Sequence, residues 1–247
     1  MNVAYIAALF VLLTAYSFTF YFMKHFYNRR ITELAFILAV FVPYVCLSVT
    51  VLRDVGFNDW NYRNTLPVAN VSPFMFATLP IVLVLPKSIK KHVLLLISLL
   101  SVGMVFSSVL GCVDRAAINY KFHLHFMLDY VSHFALSLYG VYIVRTRQAI
   151  PSVKSSLKSG AIILSIALIM MGLNVIFDTS FFGLSLNGKH NIYNNVLFKS
   201  SYLSAFVYLL GLSFVLFLGY LYMKLVFCKC SVISENSEER SASRPVP

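Results

Sequence analysis

Charge is scarce in this chain. Only 12% of its 247 residues are Asp, Glu, Lys or Arg, about half the share that a soluble domain carries, which excludes a water-facing surface all round. Acidic residues are rarer still, nine against twenty basic ones. On a soluble protein that excess would point to nucleic acid. Here the basic residues sit between apolar runs, where they orient helices and meet anionic headgroups, and nucleic-acid binding is not the reading. Cysteine is confined to Cys46, Cys112, Cys228 and Cys230. These are too few and too scattered for a disulfide framework, and no CxxC or Cys/His zinc spacing occurs. The Cys228-Lys-Cys230 step is compatible with S-acylation, although two unmodified thiols are the simpler reading.

Hydrocarbon fills the chain instead. Hydrophobic residues make up 59% and the mean hydropathy is +0.79, which marks an all-α polytopic integral membrane protein. Seven apolar runs approach the ~20 residues that a bilayer core requires: Val3 to Met23, Thr32 to Leu52, Val68 to Leu85, His92 to Val113, Phe122 to Val144, Ser159 to Phe177 and Ser201 to Phe227. The first has no basic leader and no small-residue cleavage site, so it reads as a retained span. The third is short, carries Pro73 and Pro80 and stops at Pro86, which predicts a kink or partial unwinding.

The basic residues test this count independently, because cytosolic loops collect them. Lys24, Arg29, Arg30, Lys87, Lys90, Lys91, Arg145, Arg147, Lys154, Lys158, Lys224, Lys229, Arg240 and Arg244 fall on one side. Arg53, Arg63, Arg115, Lys121, Lys189 and Lys199 fall on the other. The alternation predicts seven transmembrane helices over residues 1–227, with the N-terminus outside and the C-terminus cytosolic, and the plasma membrane is the expected location. Residues 228–247 form the expected cytosolic tail, polar and disordered from Ser231. The longer outer loops, Arg53 to Pro67 and Asp178 to Ser200, hold aromatics including the single Trp60, read chiefly as headgroup anchors. Gly103, Ser107 and Gly111 form a small-residue stripe for helix packing, and Gly211 and Gly219 have the same reading.

The fifth run carries the chemistry. His125, Asp129 and His133 stand four residues apart and so share one helical face. Ionisable groups in lipid are costly and mark function by default. The eight-residue separation of the two histidines, about 12 Å along an axis, keeps one metal from taking both from a straight helix, and no metal or cofactor is expected. Asp129 beside an imidazole fixes its tautomer and raises its basicity, as a general base requires. Helix-bridging hydrogen bonds or a non-reacting crevice are equally compatible with the stripe. Asn70, Ser72, Asp114, Asn174 and Asp178 lie at or near the same outer level, so one outward-opening polar pocket is geometrically possible.

Three pieces of the sequence resemble the YwaF-like group of multi-spanning membrane proteins, which includes eukaryotic acyltransferases of the transmembrane-protein-164 type. They are the Leu66-Pro67 step opening the third span, the segment Tyr130-Val-Ser-His133-Phe-Ala-Leu-Ser-Leu-Tyr-Gly-Val-Tyr-Ile-Val-Arg145, and the Asn174-bearing sixth span with its aromatic loop. The resemblance implies transfer of a fatty acyl chain between membrane lipids, with a cysteine near the Leu-Pro step as acyl acceptor and a fifth-span histidine, matched by His133, as its partner. The cysteine has no counterpart between Leu66 and Ser72, and a serine hydroxyl is a weaker nucleophile than a thiolate.

The expected site therefore comprises His133 as base, Asp129 as its orienting group and Ser72 or water as nucleophile, with His125, Asn70 and Asn174 binding a lipid or acyl substrate. Two other functions fit the same residues. One is a proton-coupled transporter or permease component whose moving parts are the spans broken by Pro43, Pro73 and Pro80. The other is a non-catalytic membrane assembly partner.

Overall fold

A computed structural model describes the backbone of residues 2–23, 29–55, 71–118, 121, 124–177 and 201–242, with side chains at 29, 51–55, 124–126, 177, 201–202, 204–205 and 227–242 excepted. Every element among these residues is helical: α1 Val3–Phe22, α2 Arg29–Val55, α3 Val71–Thr78, a 3₁₀ turn Leu79–Leu83, α4 Lys87–Ala117, α5 Leu124–Arg145, α6 Val153–Phe177 and α7 Ser201–Ala242. Six of them, all but α3, are long and apolar enough to cross a membrane, which makes this a membrane-embedded, multi-pass chain. The backbone of α7 stays helical to Ala242, past the apolar stretch that ends near Phe227.

The third expected span takes its shape from its prolines. Pro80 lacks an N–H and crowds the carbonyl four residues back, so the α-helix stops at Thr78 and the chain tightens into the 3₁₀ turn. The Thr78 hydroxyl donates to the Phe74 carbonyl at 2.7 Å and covers part of the exposed ladder. Pro43 sits inside α2 and leaves the Ala39 carbonyl without its ladder donor. One residue on, the Ser132 hydroxyl of α5 donates to the Val40 carbonyl at 2.9 Å.

α5 is the central element. It packs against α4 and α2, and also meets α1, α3 and α7; 78% of its span is buried, against 11% for α1. α6 and α7 stand behind α4, on the side away from α2 and α3. The α4–α5 seam is close because Gly140 has no side chain: a Cβ there would come within 2.8 Å of the Ser101 Cβ. Ser98 uses this approach to donate to the Gly140 carbonyl at 3.1 Å. α7 comes nearer still, since a Cβ on Gly219 would collide with the Leu99 carbonyl of α4.

The expected small-residue stripe on α4 does not form one seam. Gly103 faces Val215 of α7, Gly111 faces Tyr130 of α5, and Ser107 is exposed. A Cβ on Gly211 would meet nothing within 4 Å, so this glycine, unlike Gly219, is not a packing contact among the described residues. The side chains that pack close to α5 are Ser98 and Ser101, both fully buried. Periodicity locates a face, and only the neighbouring helix decides which face is the seam.

Candidate functional site

Glu33, Lys90 and Tyr139 orient the bundle. The Lys90 ammonium and the Tyr139 hydroxyl both reach Oε1 of Glu33, each at 3.0 Å, so the starts of α2 and α4 lie beside the last turns of α5. At the opposite end, Asn2 donates its backbone N–H to the Ala116 carbonyl at 2.9 Å and Tyr5 its hydroxyl to the Lys121 carbonyl at 3.1 Å. His133 lies between these ends, in the buried middle of α5.

The side chain of His133 is 6% exposed. Its Nδ1 lies 2.8 Å from the backbone carbonyl of Asp129 and 3.5 Å from Oδ1 of the same residue. A carbonyl only accepts, so Nδ1 carries the proton and Nε2 holds the lone pair. No described group partners Nε2. The expectation that the carboxylate fixes the tautomer is therefore refined: the closer acceptor is the main chain, and the carboxylate, with its side chain 32% exposed, is a second and longer contact. Because Asp129 is one turn back, ordinary helix geometry supplies this contact without help from another element.

The ring of Phe76, on α3, stands edge-on to the imidazole with centroids 4.9 Å apart at 87°. Phe76 in turn meets Tyr44 of α2 at 5.8 Å. Ser72 is half-buried on the same face of α3, one turn from Phe76, so the helix that brings a ring to His133 also carries this hydroxyl. Asn174 is buried on α6, and α6 packs chiefly on α4 and α7, whereas His133 lies on α5 beside α2 and α3. Asp114 is exposed at the end of α4. Asn70, Asp178 and the side chain of His125 lie outside the described residues. Among the described residues no three His, Cys, Asp or Glu side chains converge as metal ligands.

Sequence reasoning passed over three groups of polar contacts. Glu33 lies in the first turns of α2 behind Arg29 and Arg30, so it reads as a solvated helix end, yet it is 8% exposed and bonds two helices. Tyr139 and Ser132 are hidden in an apolar run, where only their partners reveal them. Arg115, counted among loop cations, donates to the Tyr130 hydroxyl and lies over its ring at 5.5 Å, beside buried Cys112. An arginine at the end of one apolar run with tyrosines near the start of the next is the one signal that could have drawn attention to such a pair.

Known protein families, curated proteins and solved structures offer no match to this chain.

Proposed function

We propose that this chain is a lipid-handling membrane protein of the YwaF-like kind, which binds a membrane phospholipid and acts on its acyl ester at His133. The single observation that supports this reading most is a buried imidazole whose Nδ1 is held by its own helix and whose Nε2 has no described partner. That is the state in which a histidine takes a proton at one nitrogen. In the reaction, the hydroxyl of Ser72 or of water attacks the ester carbonyl and passes its proton to Nε2. The departing glycerol oxygen takes that proton back. Asp129 acts as a positioning residue. The long lipid-facing helices and the sequence resemblance support a membrane lipid as partner, and the basic end supports an orientation with that end cytosolic, the plasma membrane being the location we propose.

The test compares the phospholipid acyl profile of cells carrying the wild-type chain and His133→Ala at equal expression. The proposal expects the profile to shift. An unchanged profile removes the catalytic role.

A second reading, a proton-coupled transporter, draws support from Glu33 and Lys90, a partly buried ion pair at a boundary between α2 and α4. It predicts pH-dependent solute uptake that His133→Ala and Glu33→Gln both abolish, with the lipid profile untouched.

A further inference from the structure

Among the described residues, five fully enclosed side-chain polar atoms that have no hydrogen-bond partner lie at one end of the bundle: Nδ1 of His92, both polar ends of Gln148, and the hydroxyls of Ser156 and Ser159. They come from three elements, the first turns of α4, the turn between α5 and α6, and the first turns of α6. α4 packs along α6, and the connection from Arg145 to Val153 ties the end of α5 to the start of α6. Native proteins seldom leave buried polar groups unmade, because each costs its full desolvation. Five such fully enclosed atoms lie at this end, a set that does not include the unpartnered Nε2 of His133, and four of the five can donate a hydrogen bond to a ligand.

Charge and backbone select the class of that something. No acidic residue occurs between Lys87 and Val113 or between Ile143 and Phe177, whereas Lys87, Lys91, Arg147, Lys154 and Lys158 are exposed at this end. The carboxylate of Glu33 is already engaged by Lys90 and Tyr139. Helix α4 begins at Pro86 without a side-chain cap, which leaves first-turn N–H groups and the positive end of its dipole directed outward. The turn itself is built to hold Gln148 in place. Arg147 adopts φ 55°, and Gln148 N–H returns to the Ile143 carbonyl at 2.9 Å while Arg147 N–H returns to Val144 at 3.0 Å, a Schellman closure with arginine where glycine is usual. Ser159 is fully buried.

We propose that this end, between the starts of α4 and α6 and the end of α5, binds a phosphate-type anion, carried by an acidic phospholipid headgroup or free in solution. The amide of Gln148 and the hydroxyls of Ser156 and Ser159 donate to its oxygens, with His92 donating through Nδ1, and the surrounding lysines supply the counter-charge. This site is independent of His133 and stands whether or not the acyl chemistry does.

The test uses the full chain in phosphatidylcholine nanodiscs and follows its melting temperature. One arm adds inorganic phosphate, with equal ionic strength of chloride as the control; the other adds phosphatidylglycerol to the bilayer. A rise in both arms assigns the site to phosphate from either source, and a rise with the lipid alone assigns it to the headgroup. Gln148→Glu keeps the shape and repels an anion, and Gln148→Leu/Ser156→Ala/Ser159→Ala removes the donors. Each weakens the apparent affinity about tenfold or more, as lost bonds to a charged ligand do. The proposal is overturned if neither arm raises the wild-type melting temperature, or if the rise survives undiminished in Gln148→Glu, which a folded variant reports even where the triple variant does not assemble.

Discussion

His133 leans on Asp129 through the main chain: its Nδ1 is nearer the backbone carbonyl of that residue, at 2.8 Å, than the carboxylate oxygen, at 3.5 Å. The two contacts come from one residue but respond differently to mutation. Any side chain at 129 keeps the carbonyl, and with it the tautomer that leaves Nε2 free. Asp129→Asn is therefore expected to reduce acyl turnover less than tenfold, whereas His133→Ala removes the base and lowers it by about 10²–10⁴-fold. Turnover of a labelled phospholipid by both purified variants checks the order; equal losses would assign tautomer control to the carboxylate.

The collision at Gly219 predicts a sharp contrast along one helix. Gly219→Ala places a methyl against the Leu99 carbonyl and is expected to cost about 1–3 kcal/mol through overpacking. Gly211→Ala, with open space around it, is expected to stay within about 0.5 kcal/mol of wild type. Thermal unfolding of the two variants in the same detergent reads the difference.

Glu33 is held by Lys90 and Tyr139 with its side chain 11% exposed. Glu33→Leu leaves the Tyr139 hydroxyl and a partly exposed ammonium without their acceptor and is expected to destabilise by roughly 1–3 kcal/mol, because breaking such a pair costs more than replacing it. The double variant Glu33→Leu/Lys90→Met is expected to recover most of the loss. A double-mutant cycle on unfolding midpoints measures the coupling, and additive losses would show that the pair contributes nothing.

Arg147 occupies a left-handed conformation at the close of α5. A Cβ in that region costs roughly 1–2 kcal/mol that glycine avoids. Arg147→Gly is expected to hold or raise the melting temperature, and a fall would mean that the arginine side chain contributes more than the strain removes.

Much of the fold could be read from the chain, and less of the site. Helix α1 ends at Phe22 and the first apolar run at Met23, because a hydrocarbon stretch flanked by polar residues states its own limits. The broken third run was legible too, since Pro80 removes a donor wherever it stands. His133 announced itself as an ionisable residue in an apolar run. What surrounds it did not. The Phe76 ring comes from α3, fifty-seven positions earlier in the chain, and Asn174, read as sharing an outer pocket with the α5 stripe, sits on a helix that packs on α4 and α7 instead. Depth along a helix follows from counting residues; the order of helices around α5 depends on packing between distant segments, such as Gly140 on Ser101, that no local pattern encodes.

The enclosure of α5 bears on how this chain enters a bilayer. Its span is the least apolar of the six and the most covered by neighbours, so a solitary α5 would present Asp129, His133 and five hydroxyl-bearing side chains, Tyr130, Ser132, Ser137, Tyr139 and Tyr142, to acyl tails. During biosynthesis it gains a tolerable environment only when α2 and α4, both made before it, are on hand to sheathe it. Insertion of this helix is thus a cooperative event, and a truncated product that lacks α2 is expected to leave the fifth segment stranded outside the membrane.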